Sequence, residues 1–337
     1  MIILKIKKAI YIILMLTFVG MVLSGCVEVE KPSVASINGE NITMDEYNYF
    51  LHTMQSSYEQ SFESQGVDAN TSWETEKDGK TTYEIMKETA YDDMMDIYIL
   101  AAEAEKAGLS CDSSEINQTK SQMMQSFSSE SAFLKEFDMN ASGLNKVAKL
   151  MTLYAKYRNQ LQGEEEFAVS DEDIVNEYKN TYMRAKHILF MTVDDSQQPL
   201  SDDEIAEKKK LAEEILAKAK SGADFDSLMN EYSEDPGSKT NPDGYVFTDG
   251  QMVSEFEEAT KALKPGEISD IVETQFGYHI IKRLELNADT SSEEFQSIAQ
   301  NLASTIFNNK LYDKIDEWKK NYDIKENTSV IEAIKRK

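Results

Sequence analysis

Only a few side chains in this sequence have types and positions that suggest chemistry, and the histidines are the most informative. The 337 residues include three histidines and two cysteines. His187 and His279 each lie in an apolar, strand-like segment, where an imidazole can orient hydrogen bonds or exchange protons. Taken alone, each is equally well explained as a buried structural histidine. Asp235 directly precedes Pro236, and its position alone predicts a turn residue.

Cys26 follows a segment that is typical of a bacterial lipoprotein signal. Three lysines within the first eight residues precede an apolar run at residues 9–22, and Leu-Ser-Gly then leads to the cysteine. The run is shorter than the roughly 20 residues that a spanning helix needs. Because Leu-Ser-Gly-Cys resembles the bacterial lipobox, we predict a signal peptide at residues 1–25 and a lipid on Cys26. The alternatives are an ordinary secretory signal or a signal anchor with a chance cysteine.

The composition limits the classes of partner and the means of stabilisation. The chain carries 61 acidic and 35 basic residues and a formal net charge of −26, which disfavours nucleic acid as a partner. If Cys26 carries a lipid, Cys111 is the one cysteine left in the mature sequence with a free thiol. Stability must therefore come from packed apolar surface and not from a disulfide. The length predicts two domains.

The elements of the first half are mainly helical in pattern. Alternating apolar residues around Asn38-Gly39 predict a hairpin over residues 34–42, and Thr43 with Glu46 forms a capping box at the start of a helix. Further helices are predicted at residues 81–107, 113–127, 130–138, 142–161 and 171–182. Residues 65–80 are rich in turn formers and predict a loop.

The composition changes at Arg184, where a second domain is predicted to begin. Strands are predicted at residues 185–193, 245–248 and 278–286, and helices at residues 202–220, 225–232 and 253–263. A last helix over residues 291–321, capped by Ser291 with Glu294, has no partner of its own in this region. We therefore expect it to return to the first domain.

Residues 184–286 resemble the parvulin family of peptidyl-prolyl cis/trans isomerases. The likeness rests on motifs in the family's order: Arg184-Ala185-Lys186-His187-Ile188-Leu189, Tyr232-Ser233-Glu234-Asp235, Phe247 to Met252 with Phe256, Leu263 to Ser269, and Thr274 to Ile281. The family fold is a four-stranded antiparallel sheet flanked by helices. The resemblance therefore implies an α+β chain with a parvulin domain beside a mainly helical domain.

The resemblance also implies the catalytic residues. His187 and His279 would be the family's paired histidines on adjacent central strands. Asp235 would face the substrate imide at a position where parvulins carry either Cys or Asp, and the Asp form excludes a covalent thiol mechanism here. Thr274 matches a hydroxyl position of the same network.

An apolar pocket for the substrate proline ring is implied by three further matches: Phe247, Met252 and Phe256. Spacing alone would place Met252 and Phe256 in the core. The sequence departs from the family where Gly-Asp-Leu-Gly is replaced by Pro-Asp-Gly-Tyr at residues 242–245. Gly244 thus stands in place of a common pocket leucine, and Tyr245 is the candidate to fill the space. The departure puts substrate preference and rate in question.

The domain organisation also has a likeness to known foldases. Residues 34–50 resemble the start of the chaperone module of secretory foldase lipoproteins and periplasmic chaperones. The predicted domains are a signal peptide (1–25), a lipidated leader (26–33), a helical chaperone domain (34–183), a parvulin domain (184–286) and a C-terminal helix that returns to the chaperone domain (287–337).

The predicted function is that of an extracytoplasmic foldase, held by its lipid on the outer face of the cell membrane, that isomerises prolyl bonds and assists the folding of secreted proteins. Its expected partners are unfolded or secreted clients and the membrane, and a homodimer is left open. No metal or cofactor is expected. Residues 193–198 (Val-Asp-Asp-Ser-Gln-Gln) stand where phosphate-directed parvulins carry a basic cluster, which disfavours phosphopeptide specificity. The rivals are a holdase with a degenerate parvulin domain, which Gly244 favours, and a solute-binding lipoprotein, which the helical first half disfavours.

Overall fold

The computed structural model describes residues 31–194 and 196–336, so the predicted signal peptide and Cys26 lie outside the described residues. The helices are α1 Met44–Ser64, α2 Ala69–Glu74, α3 Thr82–Lys106, α4 Ser113–Met123, α5 Glu130–Glu136, α6 Ala141–Leu161, α7 Asp171–Thr181, α8 Asp202–Lys220, α9 Phe225–Tyr232, α10 Ser254–Ala262, α11 Glu293–Lys319 and α12 Thr328–Glu332. The strands are β1 Ser33–Ile37, β2 Glu40–Thr43, β3 Glu76–Lys77, β4 Lys80–Thr81, β5 Tyr182–Met191, β6 Tyr245–Thr248, β7 Ile268–Thr274, β8 Gly277–Leu284 and β9 Ile324–Glu326.

The described residues divide into two compact units. Residues 31–161 with 312–336 form one, here called the helical unit, and residues 162–311 form the other, called the sheet unit. The predicted α+β class, with a helical part and a four-stranded antiparallel sheet, is confirmed. Across the described ranges, no helix is long and apolar enough to cross a membrane.

The helical unit begins with the predicted hairpin and capped helix. Asn38 and Gly39 both have positive φ angles, 50° and 86°, as a tight two-residue hairpin turn requires. The Thr43 N–H donates to the Glu46 carboxylate at 2.8 Å, which closes the capping box at the start of α1. Helix α3 then packs on both α1 and α6. Its Met94 is fully buried, and burial of such a side chain contributes about 1.5–3 kcal/mol.

Residues 65–80 are not a loop, and the prediction made for them was wrong. They contain α2 and the β3–β4 hairpin, whose turn formers separate short elements. Asp68 caps α2 by accepting the Thr71 N–H at 2.8 Å. Trp73 is fully buried and stacks on Tyr58 at 5.5 Å between ring centroids. One large aromatic anchor therefore orders a segment whose composition favours turns.

The sheet unit is built on the strand order β6-β5-β8-β7, with every pair antiparallel. Alternate residues of β5 face opposite sides. Ile188 and Phe190 pack with α8 and α9 on one side, whereas Met183 and Ala185 pack with α10 on the other. By the same alternation, His187 and Leu189 follow Ala185 along β5 on that second side of the sheet.

Two predictions about the sheet unit need correction. The edge strand β7 was not predicted, because its half-buried residues give a weak alternation. The predicted Ser291 cap of the last helix was wrong: Ser292 accepts the Phe295 N–H at 3.2 Å, while the Ser291 N–H donates to Asp289. Helix α11 consequently begins at Glu293.

Candidate functional site

A cavity of about 810 Å³ opens on the α10 side of the sheet. This volume lies within the range of sites that bind small ligands or peptide side chains. Its lining residues are His187, Leu189, Met191, Val193, Asp194, Gln197, Asp235, Pro236, Tyr245, Gln251, Met252, Val253, Phe256, Phe276 and His279. Most of them are apolar, and the charged ones among these described residues, Asp194 and Asp235, are both acidic.

The two predicted histidines lie side by side at the floor of the cavity. The register of β5 and β8 places Leu189 opposite His279, so His187 is the diagonal neighbour of His279 on the same face. Their ring centroids are 5.1 Å apart. Phe256 presents its ring nearly perpendicular to both imidazoles, at 5.2 Å from His187 and 5.6 Å from His279. Residues that are 92 positions apart in sequence thus meet through strand pairing.

Burial keeps both imidazoles neutral. It lowers the pKa of His187 below the ordinary value, against an opposing effect of the Asp235 carboxylate. Burial, together with the nearby His187, lowers the pKa of His279 to about 3. The Nδ1 atoms of both rings are buried and have no hydrogen-bond partner among the described residues. At neutral pH the pair can therefore accept or donate hydrogen bonds but does not carry positive charge.

Asp235 is held at the rim by contacts to both of its carboxylate oxygens. It caps the 3₁₀ turn Pro236–Lys239, where Oδ1 accepts the Gly237 N–H at 3.0 Å. Oδ2 accepts the Tyr245 hydroxyl at 2.6 Å and lies 3.5 Å from His187 Nε2. The turn predicted from Asp-Pro is present, and it also directs the carboxylate into the cavity.

Thr274 contacts the site from behind. Its Oγ1 lies 2.9 Å from His279 Nε2 and accepts the Phe276 N–H at 3.1 Å. Thr274 is buried and is not among the described residues that line the cavity. The hydroxyl therefore orients the His279 ring and fixes the β7–β8 turn that carries Phe276.

The three residues predicted for the apolar pocket separate into two groups. Met252 and Phe256 line the cavity. Phe247 is 1% exposed, packs behind Phe256 at 5.8 Å between ring centroids, and is not among the described residues that line the cavity. Phe247 therefore supports the wall but does not form its surface.

Several residues of the site were missed by the sequence reasoning. Leu189 lines the cavity because it shares the face of His187, which strand alternation could have indicated. Glu257 is buried on α10 and accepts the Gly250 and Met252 N–H groups at 3.1 and 2.8 Å. These backbone bonds lower the pKa of Glu257. Nothing in the local sequence separates Glu257 from its exposed neighbour Glu258.

A metal centre has no support in the described part of the chain, where no three His, Cys, Asp or Glu side chains are grouped so that they could hold an ion. Asp195, one of the two acidic residues at positions 193–198, lies outside the described residues. Its neighbour Asp194 lines the cavity and accepts the Ser196 N–H at 2.8 Å.

Comparisons with known proteins match both parts of the chain. Residues 174–287 match the family model of the PPIC-type PPIase domain, and residues 2–142 match that of a SurA-like N-terminal domain. The foldase protein PrsA of Caldanaerobacter subterraneus subsp. tengcongensis is 30% identical over 321 residues, covering 92% of this chain and 94% of that protein. The foldase protein PrsA of Geobacillus kaustophilus is 37% identical over 151 residues, covering 44% and 47% of the two chains. A crystal structure of PrsA from Bacillus cereus covers 88% of this chain and 95% of its own at 20% identity, with a TM-score of 0.37.

Proposed function

The chain belongs to the PrsA family of foldases, and from that premise we propose that the cavity on the sheet unit is its peptidyl-prolyl isomerase site. The protein is a parvulin-type peptidyl-prolyl cis/trans isomerase that assists the folding of secreted proteins outside the cytoplasm. The observation that supports this site is the convergence of His187, His279 and Asp235 on a mainly apolar cavity.

The reaction that such a cavity must accelerate is a bond rotation. A prolyl imide interconverts in tens to hundreds of seconds, because rotation breaks amide resonance at a barrier of about 18–20 kcal/mol. No covalent bond is broken, so the reaction needs neither a nucleophile nor a cofactor. An enzyme lowers this barrier by binding the twisted imide more tightly than either planar form.

The apolar wall and the polar floor of the cavity have different roles in this proposal. Met252 and Phe256 bind the proline ring and exclude water from the imide. His187 and His279 act as neutral hydrogen-bonding groups, because burial depresses the pKa of both. Asp235, already oriented by Gly237 and Tyr245, presents a fixed negative charge beside the imide. Groups that are fixed before the substrate binds do not need to reorganise as the imide twists.

The charges of the cavity define the substrates that it disfavours. Asp194 and Asp235 are the acidic members of the described lining. A phosphorylated or acidic residue beside the proline would meet like charge at close range, which is unfavourable. We therefore propose that the enzyme acts on prolyl bonds without a neighbouring phosphate.

The rival function, a holdase with a degenerate parvulin domain, was suggested by Gly244. A degenerate site would leave a gap where the family leucine is missing. Tyr245 lines the cavity at this point and also contacts Asp235, so the wall is continued by a different residue. This arrangement favours the isomerase.

The helical unit and the amino terminus complete the proposal. We propose that the SurA-like part holds unfolded clients, with the domain limits given by the sequence at residues 34–183 and 287–337 for the helical domain and 184–286 for the parvulin domain. Residues 1–25 would be removed as a signal peptide, and Cys26 would carry two acyl chains, which give a stable membrane anchor.

Isomerase activity of the purified full chain tests the site assignment. Exchange of a prolyl peptide, followed by NMR, should be accelerated by the wild type and by His52→Ala, a control for the histidine outside the sheet unit. His279→Ala and Asp235→Ala, if folded by circular dichroism, should lose most of the acceleration. An inactive wild type that still suppresses the aggregation of an unfolded client would support the holdase instead.

Lipid attachment is tested separately with the two cysteines. Cells that express the wild type or Cys111→Ser should incorporate labelled palmitate into the protein, and the protein should partition into detergent. Cys26→Ser should lose both properties. Equal labelling of all three would contradict the anchor.

The oligomeric state is a separate question. Sedimentation of the same preparations distinguishes a monomer from a homodimer.

A further inference from the structure

Tyr245 stands at the position where the sequence departs from the family pattern. It opens β6 and pairs with Ala185 on β5, so its side chain shares the face of the sheet that carries His187. The Tyr245 and His187 rings are nearly stacked, with centroids 5.7 Å apart and planes 30° apart. Tyr245 therefore forms the wall beside one of the two histidines.

The hydroxyl of Tyr245 makes the shortest polar contact to Asp235 at the site. It donates to Oδ2 at 2.6 Å, the same oxygen that lies 3.5 Å from His187 Nε2. Burial is the main cause that raises the pKa of Tyr245, and the bond to Asp235 raises it further. The hydroxyl consequently keeps its proton at neutral pH and remains a donor to the carboxylate.

Two glycines make room for this arrangement. Gly244 has a φ of +94°, and a Cβ there would lie 2.8 Å from the Ala185 carbonyl oxygen, so a leucine could not occupy this backbone. A Cβ on Gly237 would collide with the Tyr245 hydroxyl. The two departures from the family pattern are therefore linked: the backbone at Gly244 excludes a leucine, and Tyr245 supplies the side chain at the cavity wall.

We propose that Tyr245 is a positioning and specificity residue of the isomerase site, an inference that rests on the proposed function. The hydroxyl positions the Asp235 carboxylate toward His187, and the ring supplies the wall surface against which the substrate lies. These two roles predict different kinetic effects, because an orientation needed only in the transition state affects kcat, whereas a wall that contacts the bound substrate affects KM.

The test compares variants of the purified full chain in prolyl-peptide isomerisation. Tyr245→Phe keeps the ring and removes the hydrogen bond, so we expect kcat to fall about tenfold with KM within about twofold of the wild type. Tyr245→Leu removes the ring and should also raise KM severalfold. Tyr278→Phe is the matched control, because Tyr278 lies on the opposite face of β8, and it should behave as the wild type.

A double variant separates positioning from a general structural effect. If Tyr245 acts through the carboxylate, Tyr245→Phe should have no further effect on kcat in an Asp235→Ala background, where the acceptor of its hydroxyl is absent. Independent, multiplicative losses, or a Tyr245→Phe enzyme with unchanged kcat, would overturn the inference while an active wild type leaves the proposed function standing. A wild type without isomerase activity would overturn the proposed function and this inference together.

Discussion

At the scale of single residues, burial in the cavity lowers the pKa of two histidines and keeps their rings neutral. Burial outweighs the attraction of the nearby carboxylate for a proton, and His279 also lies beside His187. This suits a reaction in which no proton has to be transferred, because a neutral ring can orient neighbours without the solvation that a buried imidazolium would need.

Protein stability should fall in weakly acidic solution through His279. Its pKa drops from 6.5 to about 3 on folding, so between these values the unfolded chain binds a proton that the folded chain does not. The contribution is complete above 6.5 and is lost as the pH falls toward 3. At a pH of about 5 the loss should be about 2 kcal/mol, from roughly 1.4 kcal/mol per unit. Urea unfolding at neutral pH and at the lower pH measures it.

The comparison variant for this prediction is His279→Asn, which cannot be protonated in either state. It should lose about 2 kcal/mol less than the wild type on acidification, a difference that cancels the titration of other groups. Equal acid-induced losses in the wild type and His279→Asn would contradict the assignment.

The residues of the site were predictable where a motif fixed them, and less so where tertiary packing decides. His187, His279, Asp235, Met252 and Phe256 were named from the sequence and lie together at the cavity. Their roles in catalysis stay a prediction. Thr274 and Phe247 lie behind the cavity. The sequence could not predict this, because the type of a residue in a strand does not reveal whether other side chains cover it.

At the scale of elements, the segment between β6 and α10 is fixed by a side chain from the helix that follows it. Glu257 accepts two backbone N–H groups of this segment, and both bonds are charge-assisted. Met252, which lines the cavity, is thus placed by a residue one helical turn beyond Val253.

Glu257→Gln should weaken substrate binding more than it weakens folding. The amide loses the negative charge and can offer one acceptor oxygen in place of two, so the Gly250–Met252 segment should become less ordered and KM should rise severalfold. Glu258→Gln, on the exposed side of the same helix, is the control and should leave KM unchanged. Steady-state kinetics decides, and a KM shift of equal size in both variants would contradict the role of Glu257.

Gly244 tests how strictly the turn before β6 depends on glycine. Gly244→Ala should lose about 1–3 kcal/mol of unfolding free energy from its positive φ, and more from the approach to the Ala185 oxygen. Gly222 has a similar φ of +97° with open space around it, so Gly222→Ala isolates the backbone effect. In denaturant unfolding, Gly244→Ala should have a lower free energy of unfolding than Gly222→Ala. Of the two, only Gly244→Ala should lose isomerase activity. Equal stabilities would show that the close approach is relieved by local movement.

The elements that escaped prediction are those whose partners are remote in sequence. The three-residue β9 has no recognisable period, and it is a strand because it pairs with β1 at the other end of the chain. Likewise α2 is six residues long and depends on the burial of Trp73. Long helices with capping boxes, such as α1 and α8, were predictable because their signals are local.

At the scale of the whole molecule, the carboxyl-terminal segment completes the helical unit. β1 lies between β2 and β9 in a three-stranded sheet, and the Asn327 N–H donates to the Val34 carbonyl at 2.9 Å. The buried Lys87 ammonium lies 3.4 Å from the carbonyl oxygens of both Ile331 and Ile334. Residues after α11 therefore supply both backbone pairing and the oxygen partners of a buried charge.

Removal of this segment should separate the two activities of the molecule. A chain that ends at Lys319 lacks β9 and α12, which leaves β1 with an open edge and Lys87 without its carbonyl partners, so the helical unit should lose about 3 kcal/mol or more. Hydrogen exchange of its amides should accelerate, and protection of unfolded clients should decline. Isomerisation of a short prolyl peptide should stay within about twofold of the wild type, because every described residue that lines the cavity belongs to the sheet unit.

A chain that ends at Lys335 keeps all of these contacts and serves as the control. Loss of peptide isomerisation in parallel with faster exchange would instead mean that the site depends on the carboxyl terminus.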